Sequence, residues 1–231
     1  MSQRLMKFSS LLESSCRPPI AGFTLVELLV TVAIVAVLVV CAVPALQVAH
    51  DFSLRAQCTS RIRDLSSALL LYAHDHEQTL PSNAVPDYHN SEGIWFGYGA
   101  LIVPYLGMTP ETATSSPQVF SCPMVHNDVL HPSYLFNGGN QYDGNFPGLA
   151  GRRLVEIRHP TRTLLLYELS AVFPVSWHAP SPKGGDAYLD AKSIASFADG
   201  HVSFMHFYWD GKHLSPSKDP PEGYDYQWSA D

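Results

Sequence analysis

Residues 23–43, FTLVELLVTVAIVAVLVVCAV, decide the architecture of the N-terminal part of the chain. These 21 residues contain a single charged side chain, Glu27. At about 1.5 Å per residue, a helix of this length spans the roughly 30 Å hydrocarbon core of a bilayer. A buried helix of a soluble domain rarely runs so far without a polar interruption. The stretch therefore predicts one membrane-spanning helix.

A cleaved secretory signal peptide is the main alternative for this segment. Its apolar region usually has about 7–15 residues and ends in a small-residue cleavage site. The run here is longer, and the bulky Val40 before Cys41 does not suit a lipoprotein site. The basic residues Arg4, Lys7 and Arg17 precede the run, which favours a cytoplasmic N-terminus and an exported C-terminal part. We therefore expect a single-pass protein of the inner (cytoplasmic) membrane.

Charge and composition limit the partners of the exported part. The 231-residue chain has a net charge of −7, with 46% hydrophobic and 15% charged residues, which suits one packed domain with extensions. Residues 1–22 carry three basic side chains and one acidic side chain, a net +2, so the remainder carries −9. An acidic domain repels phosphate backbones, so we do not expect nucleic-acid binding.

Residues 22–27, Gly-Phe-Thr-Leu-Val-Glu, followed by the apolar run, resemble the prepilin peptidase recognition segment of type IV prepilins and type II secretion pseudopilins. The resemblance implies that the peptidase cuts between Gly22 and Phe23 and methylates the new amine of Phe23. Residues 1–22 would then be a leader. Pro44 stands where this family often carries a helix-kinking proline.

Glu27 has two interpretations. The resemblance implies that its carboxylate pairs with the Phe23 amine of a neighbouring subunit during filament assembly, because opposite charges stabilise each other strongly in a low-dielectric site. The alternative is an interfacial glutamate that is tolerated because it lies near the helix start and can reach toward the membrane surface.

The apolar periodicity continues beyond the membrane segment. Steps of four, three, four and three residues place Cys58, Ile62, Leu65, Leu69 and Tyr72 on one helix face. The polar residues of this stretch should lie largely on other faces of the helix; they are Arg55, Arg61, Arg63, Asp64 and Ser66. We predict one long helix, kinked at Pro44, that ends near residues 75–80, before Pro81.

The expected fold is α+β and pilin-like: a long N-terminal helix whose outer half packs on a C-terminal antiparallel sheet. The expected division is a leader at 1–22, a transmembrane and polymerisation helix at 23–46, an amphipathic helix at 47–80 and an exported globular domain at 81–231. Residues 81–150 are rich in turn-forming types and predict loops and short strands.

Strand signals are clearest toward the C-terminus. Leu164–Tyr167 is an apolar run that predicts a buried strand, whereas residues 178–192 predict a long exposed loop. The dipeptides Asp199-Gly200 and Asp210-Gly211 favour tight turns with positive φ at both central positions, and together predict a three-stranded meander. The tail after Ser215 should be irregular.

The segment 197–202 resembles the Asp-Gly core of the H-X9-DG domain found in one branch of prepilin-like proteins. Asp199 and Gly200 form the hairpin signature. The chain departs from the named spacing, because Leu189 occupies the position of the histidine and the nearest upstream histidine is His178.

The four cysteines fall in different environments. Cys16 lies in the leader and Cys41 in the membrane helix, which leaves Cys58 and Cys122 in the exported part. An oxidising compartment favours a disulfide between them. The alternative is that Cys58 is simply a buried residue of the helix stripe.

Metal and catalytic motifs give no positive signal. No His-Glu-x-x-His or paired Cys-x-x-Cys occurs, so we predict no transition-metal site and no other cofactor. Calcium, which some pseudopilins hold, stays open as the one alternative, although the candidate carboxylates match no calcium-loop spacing; they are Asp186, Asp190, Asp199 and Asp210. Nucleophile-elbow and phosphate-loop motifs are absent, so the chain is not expected to be an enzyme.

Two functions remain. The first is a prepilin-type subunit that assembles into a pseudopilus or pilus, with prepilin peptidase, other subunits, the membrane and a secretion assembly platform as partners. The second is a non-polymerising, single-span envelope protein whose exported domain binds a polysaccharide or another surface ligand. Aromatic residues motivate the second hypothesis because such rings stack on sugars; they are Trp95, Tyr98, Tyr105, Trp177, Trp209 and Trp228.

Overall fold

The structure is a computed structural model that describes residues 22–82, 98–109, 118–125, 133–138, 148–173, 175–179, 189–210 and 218–231. The chain divides into two compact units, Met1–Gln47 and Val48–Asp231.

Helix α1 spans Leu25–Asp75, 51 residues, and contains Pro44. It is long and apolar enough to cross a membrane. The helix ends as the periodicity predicts. Glu77 and Gln78 follow with positive φ, a conformation that a helix cannot continue through, and Pro81 comes soon after.

The outer part of α1 has the predicted buried stripe. Cys58, Ile62, Leu65 and Leu69 are fully buried, which confirms the periodicity. The stripe is wider than expected, because Ser66 is also buried and its placement off the stripe was wrong. Its hydroxyl lies 2.7 Å from the Ile62 carbonyl and 2.5 Å from the Ser196 hydroxyl, so its polar group is satisfied inside the core.

Four strands form one antiparallel sheet in the order β1-β2-β3-β4. They are β1 Tyr134–Phe136, β2 Leu164–Glu168, β3 Lys192–Phe197 and β4 Val202–His206. Strand β2 confirms the apolar run at 164–167. Together with α1, the sheet confirms the α+β class. Between α1 and β1 the chain also forms a short helix, α2 Tyr98–Ile102, which the composition of residues 81–150 did not predict.

The turn between β3 and β4 contains Asp199 and Gly200. Positive φ occurs at Gly200 and not at Asp199, so the expectation for both central positions was wrong. The Gly200 amide donates to the Phe197 carbonyl (2.9 Å) and the Phe197 amide to the His201 carbonyl (3.0 Å). This is a type I turn followed by a left-handed glycine, a three-residue hairpin loop. The third strand of the expected meander would follow Gly211, and residues 211–217 lie outside the described residues.

Strands β1, β2 and β3 are buried on both faces, apart from the first residue of β3, whereas β4 is half-buried to exposed. On one side, Tyr134, Phe136 and Ile194 join the stripe of α1 in one apolar cluster. On the other side, a second cluster contains Tyr226 and Trp228 of the C-terminal tail. Residues 218–231 contain no helix or strand, as expected for the tail, but they form part of the core.

Candidate functional site

The expected cleavage point lies at the start of the described chain. Gly22 and Phe23 are both exposed, and the Phe23 side chain keeps 70% of its accessible surface. Among the described residues, no heavy atom lies within 4 Å of a Cβ placed on Gly22. A protease could therefore approach the peptide bond between these two residues without displacing other parts of the described chain.

The N-terminus of α1 is closed by a reciprocal capping arrangement. The Glu27 amide donates to Thr24 Oγ1 (3.2 Å), and the Thr24 amide donates to Glu27 Oε2 (2.9 Å). The Thr24 hydroxyl also donates to Oε2 (2.8 Å). This is a capping box, which satisfies backbone donors that the first helical turn leaves unpaired. The signal, Thr-x-x-Glu before an apolar run, was present in the sequence and was missed.

The part of α1 before the packed domain exposes an apolar surface. Large side chains from Phe23 to Phe52 keep about half or more of their accessible surface in the single chain. Water disfavours so large a contiguous apolar surface, so lipid or other helices must cover it. Pro44 lies within this stretch without ending α1. Because proline has no amide proton, one backbone hydrogen bond is lost there. The predicted kink stays a prediction.

A second notable arrangement lies inside the unit Val48–Asp231, at the end of β2. It brings together four metal-ligating side chains whose ligand atoms all lie within 4.8 Å of one another, and all four are buried. We call it the buried Cys–His–Glu cluster; its members are Cys58, Cys122, Glu168 and His178.

The two cysteines of the cluster form a disulfide. Their Cα atoms are 5.3 Å apart and they are separated by 64 positions in the sequence. The bond joins α1 to the loop before β1. The Nε2 atom of His178 lies 3.8 Å from the Cys122 sulfur and 2.7 Å from Glu168 Oε1. The side chains of His178 and Glu168 have no accessible surface.

Hydrogen bonds hold the Glu168 carboxylate in place. Its Oε2 atom accepts from the Ser193 hydroxyl (2.9 Å) and from the Ile194 amide (2.9 Å). Ser193 in turn lies 2.7 Å from the hydroxyl of Ser170. A buried carboxylate is costly unless it is paired and hydrogen-bonded, and both oxygens of Glu168 meet this condition.

His178 makes further contacts with several described residues. Its Nδ1 atom lies 3.0 Å from the Met124 sulfur, and its ring meets the Phe204 ring edge-on at 5.9 Å. Its carbonyl accepts a hydrogen bond from Arg55 Nη2 (3.2 Å), and the Arg55 guanidinium lies over Phe204. The expectation of an exposed loop from residue 178 is therefore wrong at His178, which packs inward to pair with Glu168.

A buried tyrosine borders the cluster. The Tyr134 hydroxyl lies 3.4 Å from the carbonyl of Cys58. Burial, with a further contribution from the Glu168 charge, raises the pKa of Tyr134 above its usual range. The phenol therefore stays protonated at neutral pH and can act as a donor there.

Short motifs could not reveal the cluster, because its members lie at positions 58, 122, 168 and 178. Only the packing of α1 against the sheet brings them together. Among the described residues, it is the one group of three or more metal-ligating side chains that converges.

The carboxylates considered for calcium have other partners. Asp190 accepts from the Tyr224 hydroxyl and Asp199 pairs with His201 at 2.6 Å, while Asp210 lies 3.6 Å from the Lys218 ammonium. Asp186 lies outside the described residues.

The aromatic residues that motivated sugar binding are largely structural. Tyr98 and Trp228 are buried in the core, and the Tyr105 hydroxyl donates to Asp75 (3.1 Å). Trp177 is half-buried and packs against both apolar clusters. Trp95 lies outside the described residues.

Comparison with known proteins gives one match. Residues 17–40 match the family model described as the prokaryotic N-terminal methylation motif. No curated protein and no solved structure matches the chain. The matched residues include the Gly22–Phe23 junction, Glu27 and the first part of α1.

This motif marks pilin-type structural subunits, which are not enzymes. It implies processing by prepilin peptidase and assembly with other pilin subunits, and the apolar start of α1 fits the single membrane anchor of a prepilin. The chain therefore carries the prepilin methylation motif and has an α+β, pilin-like fold with a long N-terminal helix and a C-terminal antiparallel sheet, features that together support a type IV pilin-like protein.

Proposed function

We propose that the chain is a subunit of a pseudopilus or pilus that serves a type II secretion-like system. Residues 23–46 anchor it in the inner membrane with a cytoplasmic N-terminus, and residues 81–231 are exported. Its partners are prepilin peptidase, other subunits and a secretion assembly platform. One observation carries the proposal: an exposed Gly22–Phe23 junction lies directly before an exposed apolar helix, inside the methylation motif.

Processing follows from this arrangement. Cleavage between Gly22 and Phe23 removes a leader of net charge +2 and leaves a new amine on Phe23, one residue before the helix cap at Thr24. Methylation of a secondary or primary amine keeps its positive charge. The mature subunit then carries a cation at Phe23 and an anion at Glu27 on adjoining turns.

The capping box indicates how Glu27 serves assembly. Both hydrogen bonds that the Glu27 carboxylate accepts from Thr24 go to Oε2, so the cap does not use Oε1. The Phe23 amine of a second subunit can pair with Oε1 while the cap stays formed. In a low-dielectric environment this pair favours one register between neighbouring helices.

The rest of the chain supports the anchor. Residues 47–80 link the membrane segment to the sheet, and the Cys58–Cys122 disulfide forms after export. The Asp199–Gly200 hairpin is the counterpart of the H-X9-DG signature. The envelope-protein alternative has less support, because two of the aromatic residues that suggested a sugar site, Tyr98 and Trp228, are buried, and Tyr105 and Trp177 are partly buried against the core.

The first test is the intact mass of the protein from membranes of cells with and without prepilin peptidase. We expect a species beginning at methylated Phe23 only where the peptidase is present. A mass that retains residues 1–22 in both strains would refute processing, and with it the filament function.

Assembly is tested by cross-linking in intact membranes. Glu27→Gln keeps an oxygen that can cap Thr24 but removes the charge, whereas Thr24→Val removes the hydroxyl of the cap and keeps the Glu27 charge. We expect ladders from the wild type and from Thr24→Val, and a strong loss of ladders from Glu27→Gln. Equal ladders from the wild type and Glu27→Gln would contradict the pairing mechanism. A lone monomer in all three would support the non-polymerising alternative.

A further inference from the structure

A disulfide needs two cysteines, and the buried cluster holds two further ligands that it does not need. His178 and Glu168 lie against the sulfur atoms at the cost of removing a carboxylate and an imidazole from water. Such a buried pair is often no better for stability than apolar side chains of similar volume. Thiolate sulfur, imidazole nitrogen and carboxylate oxygen are, in contrast, the three ligand types that Zn²⁺ accepts in proteins.

We propose that, when its two cysteines are reduced, the buried Cys–His–Glu cluster binds one Zn²⁺ ion. The disulfide and the zinc site use the same sulfur atoms and therefore exclude each other. The redox state of the compartment decides which of the two forms is present.

The distances suit a four-coordinate site. In a tetrahedral site with a Zn–S bond of about 2.3 Å and a Zn–N bond of about 2.1 Å, sulfur and nitrogen lie about 3.6 Å apart. The corresponding distance from Cys122 Sγ to His178 Nε2 is 3.8 Å. The Nε2 atom and Glu168 Oε1 are 2.7 Å apart and would separate by about 0.7 Å to admit the ion. The two thiolates would move apart to about 3.8 Å.

Proton balance is straightforward. The two thiols release their protons to solvent as the sulfurs bind the metal. The ion takes the place of the proton on His178 Nε2, which faces Glu168. The ring stays neutral, with its one proton on Nδ1. That atom faces the Met124 sulfur, a weak acceptor, at 3.0 Å. No oxidant or reductant takes part in metal binding.

Neighbouring groups orient the ligands before any metal arrives. Ser193 and the Ile194 amide hold one oxygen of Glu168 and leave the other toward the sulfurs. Outer-shell bonds of this kind typically contribute about 10–100-fold to metal affinity.

The charge of the loaded site is also compensated. Two thiolates, one carboxylate and Zn²⁺ leave a net charge of −1. Arg55 and Arg61, three residues before and after Cys58, are both half-buried. Arg55 donates a hydrogen bond to the His178 carbonyl (3.2 Å), and Arg61 donates one to the Ser121 carbonyl (2.5 Å). They place positive charge beside the ligands and fix the backbone at His178 and next to Cys122.

The experiment uses the full chain in detergent, with Cys16→Ser and Cys41→Ser so that the two cluster cysteines are the only thiols. The protein is reduced with a phosphine, freed of metal and titrated with Zn²⁺ and with Co²⁺. We expect one ion per chain by native mass spectrometry. Bound Co²⁺ should show thiolate charge-transfer bands and the visible bands of a tetrahedral ion.

Variants assign the ligands. Glu168→Gln and His178→Ala should each weaken Zn²⁺ binding by more than about 100-fold, and Ser193→Ala by about 10–100-fold. His201→Ala, which removes an exposed histidine that pairs with Asp199, is the matched control and should leave binding unchanged. Reoxidation to the disulfide should release the ion.

Three results would overturn the proposal. One is a reduced, folded chain that binds no Zn²⁺. Another is zinc binding that survives replacement of both cluster cysteines by serine, which would place the ion elsewhere. If the reduced chain loses its fold, as judged by circular dichroism, the proposal requires that Zn²⁺ restores it, and failure to do so refutes it.

Discussion

Replacing Glu168 by glutamine tests how far the buried carboxylate stabilises the unit Val48–Asp231 in its disulfide-bonded, metal-free form. Glu168 accepts three hydrogen bonds, from His178, Ser193 and the Ile194 amide. A glutamine has one accepting oxygen and one donating amide group. If the glutamine oxygen keeps the hydrogen bonds from Ser193 and the Ile194 amide, its NH₂ group faces Nε2 of His178. Nε2 can accept a hydrogen bond from that group only if the ring proton moves to Nδ1.

The loss in free energy of unfolding caused by Glu168→Gln follows from these contacts. One charge-assisted hydrogen bond is lost and two become neutral, and a hydrogen bond to a charged group contributes about 1.5–3 kcal/mol. We therefore expect Glu168→Gln to lower the free energy of unfolding by about 3 kcal/mol.

The matched control is Asp199→Asn. Asp199 and His201 form a pair of almost the same length, 2.6 Å, but their side chains keep 30% and 45% of their accessible surface. An exposed pair contributes less than about 1 kcal/mol. The same carboxylate-to-amide change therefore isolates the effect of burial.

The assay is urea denaturation of the full chain in detergent, followed by tryptophan fluorescence. Trp177 adjoins His178 and Trp228 is buried, so both report on the domain core. With a slope of about 2 kcal/mol per molar urea, Glu168→Gln should lower the midpoint by about 1.5 M and Asp199→Asn by less than about 0.5 M. Midpoints for the two variants within experimental error of each other would refute the argument from burial.

Three further outcomes are expected. Under oxidising conditions, the double variant Cys58→Ala/Cys122→Ala should have a free energy of unfolding about 4 kcal/mol lower in the same assay, because the disulfide joins residues 64 positions apart and restricts the unfolded chain. A loss below about 1 kcal/mol would contradict this role of the disulfide. Burial raises the pKa of Tyr226 in the folded state, so the stability from keeping it protonated is complete below the unfolded value of about 10 and should fall as pH rises above it. Phenolate absorbance that develops fully at alkaline pH with no loss of folded signal would contradict this. Gly200→Ala should lower the free energy of unfolding more than Gly107→Ala does. Both glycines have positive φ, but only at Gly200 would the new methyl group meet a side-chain carbon, at 3.3 Å. Equal denaturation midpoints for the two variants would contradict the steric argument.

Features set by local sequence could be predicted well. The period of the stripe through Cys58, Ile62, Leu65 and Leu69 identified the buried face of α1, because helical geometry alone fixes which residues share a face. The apolar run at 164–167 identified β2 for a similar reason. The methylation motif is also local, since a peptidase reads a short segment next to an apolar helix.

Features set by contacts between distant segments could not be predicted. Ser66 reads as a polar surface residue, yet its hydroxyl meets Ser196, 130 positions away, inside the core. Trp228 lies in a tail without regular secondary structure, and its place under the sheet depends on tertiary packing, including the bond from the Asn137 side chain to its carbonyl. Residue types and spacing contain no distance information of this kind.

The buried cluster explains how the sheet can remain firmly attached to the outer half of α1. The apolar stripe of the helix packs on the sheet, but hydrophobic burial is non-directional and permits sliding of one surface on another. The cluster adds directional links, because Cys58 on α1 bonds to Cys122, and His178 joins that position to Glu168 at the end of β2. A disulfide or a zinc ion would each fix the same register between helix and sheet. Loss of the cluster should therefore loosen the sheet from the outer half of α1, while the proposed cleavage at Gly22–Phe23, which depends on a local segment, should continue.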